Sequence, residues 1–183
     1  MKKPILLILA FALLLGCAAC ASPSAPAAEK ESAPAAAAPE TPVPREPESA
    51  EKALVFSTTA LDGTAVDESV LAGHTLTMIN FFEPWCPPCV AELPELERLY
   101  ETYAPQGFQI LGVFSTEEGV EAVVQTAGLS YPVLRYVPVF DQFQTGYVPT
   151  TVFVNERGEL VGETQIGSKD YAGWEALVKE LLG

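Results

Sequence analysis

The spacing of apolar positions changes several times along the chain, and each change marks an element. Ile5 to Leu15 is an unbroken apolar run of eleven residues behind Met1-Lys2-Lys3. A membrane-spanning helix needs about 20 such residues, so this run reads as the centre of a secretory signal covering residues 1–16. From residue 17 to residue 52 large apolar side chains almost vanish, and twelve Ala, seven Pro and six Glu fill the stretch. Nothing there repays the entropy of folding, so a disordered tether is expected. A Pro-rich spacer of about 3.1 Å per residue would reach roughly 100 Å.

From Ala53 onward the pattern is that of one folded domain over residues 53–183, long enough for a single core. Leu54-Val55-Phe56 with Thr58-Thr59, followed by Leu61-Asp62-Gly63-Thr64, predicts a short strand and a turn. The apolar run 76–82 predicts a buried central strand. Val90, Leu93, Leu96, Leu99, Tyr100 and Tyr103 recur at helical spacing and predict a helix over 87–103, interrupted at Pro94. A strand over 108–114 and a helix over 117–127 closed by Gly128 follow. Strands over 150–155 and 159–165 flank the turn Asn155-Glu156-Arg157-Gly158. The chain ends in an amphipathic helix over 171–182. This order predicts an α/β fold: a mixed central sheet with helices on both faces. Pro105, Pro132 and Pro138 read as turn residues.

Charge narrows the function classes. The net charge is −14, from 24 acidic and 10 basic residues. Such a chain cannot neutralise phosphates, which excludes nucleic acid as a partner, and it carries no polybasic membrane contact. Solubility is the plain reading of the acidity.

The four cysteines fall into two pairs, 17/20 and 86/89. Leu14-Leu15-Gly16-Cys17 resembles the bacterial lipobox, with Leu15 larger than that pattern usually has. The resemblance implies lipidation of Cys17 and a domain tethered outside the cytoplasm, where disulfides persist. Cys20 lacks an aliphatic residue three places before it.

Cys86-Pro87-Pro88-Cys89 follows a predicted strand and opens a predicted helix. At a helix N-terminus the free N–H groups and the macrodipole favour a thiolate at Cys86. Pro87 suits the first turn, where a missing N–H costs nothing. Cys89, one turn on, can attack a mixed disulfide formed at Cys86. A zinc site needs two further ligands. The only histidine is His74 and the other cysteines lie near the N-terminus, so no metal is expected. A purely structural disulfide here would close almost no loop and contribute little.

Asn80-Phe81-Phe82-Glu83-Pro84-Trp85-Cys86-Pro87-Pro88-Cys89 resembles the thioredoxin fold, and within it the TlpA/ResA-like branch of anchored thiol–disulfide oxidoreductases. The resemblance extends from about Phe56 to the C-terminus. Leu61-Asp62-Gly63 is similar to that branch's N-terminal β-hairpin extension, Pro94 to its helix proline, and Gly146-Tyr147-Val148-Pro149-Thr150-Thr151 to its cis-proline loop. Phe82 stands where many members have Trp. Asn80 stands where cytoplasmic thioredoxins carry a buried acid.

The resemblance implies Cys86 as nucleophile, Cys89 as resolving thiol and Glu92 as proton handler. It implies that Trp85 shields the cysteines, that Pro149 is cis, and that the Val148 backbone pairs with an extended substrate. It further implies reduction of cysteine-containing envelope proteins, as in cytochrome c maturation with apocytochrome c, using electrons from a membrane thiol donor and no cofactor. Two alternatives stay open: a thiol peroxidase of peroxiredoxin type, and a copper-delivery module using Cys86, Cys89 and His74. Glu83, Glu95 and Glu97 read as solvated charges, although a modulating role for Glu83 on Cys86 is the alternative. Glu92 itself has the same plain reading. His74 reads as a surface residue, and Tyr171 and Trp174 as packing for the last helix.

Overall fold

The computed structural model describes residues 53–183. The expected signal (1–16), the expected tether (17–52) and Cys17 lie outside the described residues. Seven strands and three α-helices follow in order: β1 (Ser57–Thr59), β2 (Ala65–Asp67), β3 (Leu76–Phe81), α1 (Pro87–Tyr103), β4 (Phe108–Phe114), α2 (Val120–Ala127), β5 (Val133–Arg135), β6 (Thr150–Val154), β7 (Gln165–Ile166) and α3 (Tyr171–Leu182).

β1 and β2 form a separate antiparallel hairpin, joined through the turn at Asp62 and Gly63. The other five strands make one mixed sheet in the order β5-β4-β3-β6-β7. β3 is parallel to β4 and antiparallel to β6, and Asn80 lies between Gly112 and Thr151. β3 and β4 are buried along their whole length, which is why both read as continuous apolar runs rather than alternating ones.

The strand period of two sends their side chains to two cores. Met78, Phe82, Phe108, Ile110 and Phe114 pack with Leu93, Leu96, Trp174 and Val178. Ile79, Phe81, Leu111 and Val113 pack on the other face with Leu54, Phe56, Phe140 and Phe143. The core residues of all three α-helices belong to the first face. The second is covered by the N-terminal segment and the 3-10 turn Pro138–Phe143, so the expected helices on both faces are α-helices on one only. α1 continues through Pro94. The ring removes the N–H that would reach Val90, without ending the helix.

Two elements differ from their pattern-based bounds and one strand, β5, is unforeseen, each for a local reason. α2 starts at Val120 rather than at 117, because Gly119 holds the left-handed conformation at φ +84°. β5 is flanked by Pro132 and by Pro138 at the next turn, and its apolar run is too short for the period to register. The strand expected over 159–165 is reduced to a single bridge, Val154–Leu160, and to β7. There Gly158 at φ +75° accepts the Leu54 N–H at 2.9 Å, and a Cβ on it would stand 2.8 Å from Leu54 N. The turn is therefore pinned to the N-terminal segment instead of extending the hairpin.

Candidate active site

β3 ends at Phe81 and α1 begins at Pro87, and Cys86 is the N-cap between them. With prolines at the first two helical positions, Cys89 carries the first free backbone N–H of the helix. That N–H donates to Cys86 Sγ at 3.3 Å. The arrangement offers a sulfur anion both a hydrogen-bond donor and the positive end of the helix. Cys86 and Cys89 are joined as a disulfide with Cα atoms 5.3 Å apart.

The two sulfurs differ in surroundings. Cys86 is 4% exposed and Cys89 0%. Val148 O approaches Cys86 Sγ to 3.6 Å. In the disulfide this is a contact only, and it becomes a hydrogen bond when the sulfur carries a proton. The Val148–Pro149 bond is cis. Trp85 is 65% exposed, and its Nε1 donates to Thr116 Oγ1 at 3.2 Å. It stands at the rim of the site and is not core packing. Tyr147 is exposed in the loop that carries Val148.

Beneath Cys89 lies a buried polar cluster. Glu92 is 3% exposed. Its Oε1 accepts from Asn80 Nδ2 at 3.1 Å, and its Oε2 accepts from Trp174 Nε1 and the Lys169 N–H, both at 3.2 Å. Asn80 also donates to Thr151 Oγ1 at 3.0 Å, while its Oδ1 has no partner among the described residues. Burial raises the Glu92 carboxyl from 4.5 to about 7. The three N–H donors and the Lys169 ammonium oppose this without cancelling it. Glu92 is therefore not a solvated charge. Trp174 packs the last helix as expected, but it also bonds the carboxylate.

Two other glutamates depart from the sequence reading. Glu83 is buried, and its carboxylate accepts from the Ser115 hydroxyl, from the Ser115 N–H at 3.1 Å and from the Thr116 N–H at 3.0 Å. Glu97 is buried too, and accepts from the Ser130 N–H at 2.8 Å and the Ser130 hydroxyl at 2.5 Å. The donors lie more than thirty residues away in each case, so neither bond is visible in the local pattern. For Glu97 a signal existed: four residues beyond Leu93, it falls on the buried stripe of α1. Glu83 follows a strand end and has no periodic signal.

His74 is half-buried before β3, whereas Cys86 follows that strand. Six residues of strand, about 20 Å at 3.3 Å per residue, separate the two, so Cys86, Cys89 and His74 are not brought together as copper ligands. Among the described residues no group of three or more His, Cys, Asp or Glu side chains is arranged to hold a metal ion. The described arginines are engaged elsewhere: Arg98 over Tyr171, Arg135 with Glu117 and Arg157 with Glu159. No helix among the described residues is long and apolar enough to cross a membrane.

Residues 50–162 match the AhpC/TSA family. The chain is 34% identical over 117 residues to the thiol-disulfide oxidoreductase ResA of Halalkalibacterium halodurans, covering 62% of this chain and 66% of that protein. The ResA of Bacillus subtilis is 29% identical over 104 residues, covering 55% and 58%. Across the first three curated relatives, the matched stretch spans 49% to 66% of their own length. Among solved structures, a thiol:disulfide interchange protein of the thioredoxin family from Chlorobium tepidum superposes with a TM-score of 0.64 at 30% identity. That match covers 72% of this chain and 95% of the other. StoA from Bacillus subtilis, at 22% identity and a TM-score of 0.57, shares the fold.

Proposed function

This chain belongs to the AhpC/TSA family, and we propose that it is a thiol–disulfide oxidoreductase that reduces protein disulfides through Cys86 and Cys89. The observation that carries this is the disulfide at the start of α1, with the Cys89 N–H on Cys86 Sγ. The similarity to ResA proteins supports it.

In the reduced protein, Cys86 as thiolate attacks one sulfur of a substrate disulfide. A Cys86–substrate bond forms, the substrate S–S bond breaks, and the departing thiolate takes a proton from water. Cys89 then gives its proton to the Glu92 carboxylate, which shares its helix face at i+3. The Cys89 thiolate attacks Cys86, closes the intramolecular disulfide and releases the second substrate thiolate. The substrate gains two electrons and the protein loses two. A dithiol donor is needed to return them, and a membrane thiol carrier is the class that suits a tethered domain. A carboxyl near 7 suits a group that must accept and return a proton at neutral pH. Trp85, Val148 and Pro149 frame the rim against which an extended substrate segment would lie.

The finer reading is a domain over residues 53–183 carried on a tether (17–52) and lipid-anchored at Cys17 after removal of residues 1–16. It would act on the extracytoplasmic side of the membrane in the cell envelope. Its partners there are cysteine-containing proteins, of which apocytochrome c is the proposed substrate. No metal or organic cofactor enters the steps. Cys17→Ser should move the protein from the membrane fraction to the soluble one. Retention in the membrane fraction would overturn the anchor.

The activity itself is tested by adding the reduced protein to a disulfide-bonded protein substrate and, separately, to hydrogen peroxide. Loss of substrate disulfides matched by formation of Cys86–Cys89 supports the reading. Rapid peroxide consumption with an inert disulfide substrate would favour thiol peroxidase, the alternative that the family match keeps open.

A further inference from the structure

Glu83 forms part of the lining of a cavity of about 290 Å³, together with Phe81, Phe82, Tyr136, Gln144 and Val148. This is at the small end of ligand-site volumes, the scale of one side chain rather than of a cofactor. Val148 is the link to the chemistry, since its carbonyl touches Cys86 Sγ. Gln144 is exposed and Tyr136 half-buried, so the cavity reaches the surface. The cavity adjoins the Phe81 side of the sheet, whereas Glu92 is buried among the residues of the opposite core. The two carboxylates are therefore separate features.

Glu83 is 8% exposed. Among the described residues it accepts hydrogen bonds only from the Ser115 hydroxyl and the Ser115 and Thr116 N–H groups. Among the described residues no Lys or Arg forms an ion pair with it; the paired cations belong to Glu117, Glu159 and Glu175. A carboxylate oxygen with a free lone pair can accept a further charge-assisted hydrogen bond from a cation that enters the cavity. The Phe81 and Tyr136 rings in the lining suit the apolar stem and charged head of a basic side chain.

We infer that the Glu83 cavity is a specificity subsite that receives a Lys or Arg side chain of the substrate, two residues from the cysteine attacked by Cys86. This rests on the oxidoreductase reading above. The spacing follows from strand geometry. In an extended segment, residues two apart face the same side, about 7 Å from one another. When the target cysteine faces Cys86, its next-but-one neighbour faces the cavity beyond Val148.

The test uses disulfide-linked peptides that carry Lys, norleucine or Glu two residues before or after the cysteine. The readout is kcat/KM for their reduction, taken as a ratio within each protein so that any loss of folded fraction cancels. For the wild type the Lys/norleucine ratio should be about tenfold, on one flank only. It should persist from about 0.1 M to about 1 M salt, where the screening length drops from about 10 Å to about 3 Å and steering by the net charge is lost. In Glu83→Gln the ratio should fall to about one. If that variant does not fold, Gln144→Lys puts a competing cation at the exposed edge of the cavity and should collapse the ratio instead. A wild-type ratio near one, a ratio that vanishes in salt, or a ratio that survives both variants would overturn the subsite. Reduction of all three peptides at equal rates would leave the oxidoreductase reading standing and sink only the subsite. Reduction of none would sink both.

Discussion

Around Cys86 the chain is a rim of loops, and around Cys89 it is core. The rim holds exposed Trp85 and Tyr147, the Val148 carbonyl and a carboxylate tied to the end of β4. The core side holds a fully buried sulfur above Glu92, Asn80 and Trp174. One S–S bond spans both. Two chemically identical thiols thereby stand in different surroundings. The outer sulfur has the helix terminus and an approach path. The inner one is fully buried, and it shares a helix face with the Glu92 carboxyl. On the function proposed above, attack on a partner belongs to the first region and resolution to the second.

The largest effects come from breaking that division outright. Cys86→Ser should abolish disulfide reduction. Cys89→Ser should keep the first attack and accumulate mixed disulfides through Cys86, visible on non-reducing gels. Trapping by Cys86→Ser and not by Cys89→Ser would reverse the two regions.

Next comes the titration of the inner region. Below pH 4.5 Glu92 is protonated whether the chain is folded or not, so its burial adds no charge penalty. Above about 7 it is ionised in both states, and the folded protein bears the full cost of a buried charge. Stability contributed by the neutral carboxyl is thus present at low pH and lost as pH rises from 4.5 through 7. The shift corresponds to about 3 kcal/mol. Denaturant unfolding of Glu92→Gln should therefore show a stability difference from wild type that moves in the variant's favour by up to about that amount between pH 4 and pH 8 or so. A pH-independent difference would mean the carboxyl is not titrating there. The exchange rate of the same variant should lose the wild type's dependence on a group near 7.

Trp174→Phe has a smaller effect on the same inner region. It removes one donor to the carboxylate and should move the titration to higher pH. Its destabilisation should be about 1 kcal/mol greater at pH 8 than at pH 5. The smallest effect belongs to the rim: Thr116→Val removes the acceptor of the Trp85 indole N–H. Stability should change by less than about 0.5 kcal/mol, while kcat/KM for a protein substrate falls about two- to threefold as Trp85 loses its fixed position. A large stability loss would make Trp85 a packing residue after all.

The same contrast explains what the sequence made legible. β3, α1, β4 and α3 match their pattern-based bounds almost residue for residue, because burial on a helix stripe or a two-sided strand writes a period into the sequence. Cys86, Cys89, Val148 and Pro149 were readable from a motif and a resemblance, and they meet in space. Asn80 over Glu92 was half-readable: the i+3 spacing pointed Glu92 inward, but the Trp174 and Lys169 donors come from about eighty residues away. Glu83 looks like a solvated loop charge in the sequence because it sits outside any period, and its three donors belong to the end of another strand. The short strand β5 escaped because prolines flank it and three residues do not establish a period. What escaped was in each case a long-range polar tie or an element too short to be periodic.

The division between the sulfurs is tested most directly by site-resolved alkylation of the reduced wild-type protein. A brief pulse of iodoacetamide near pH 7 is quenched, and the label on Cys86 and on Cys89 is counted separately by peptide mass spectrometry. An outer thiolate favoured by the helix terminus and an inner, buried thiol predict labelling of Cys86 about a hundredfold faster or more. Equal labelling, or faster labelling of Cys89, would contradict the account.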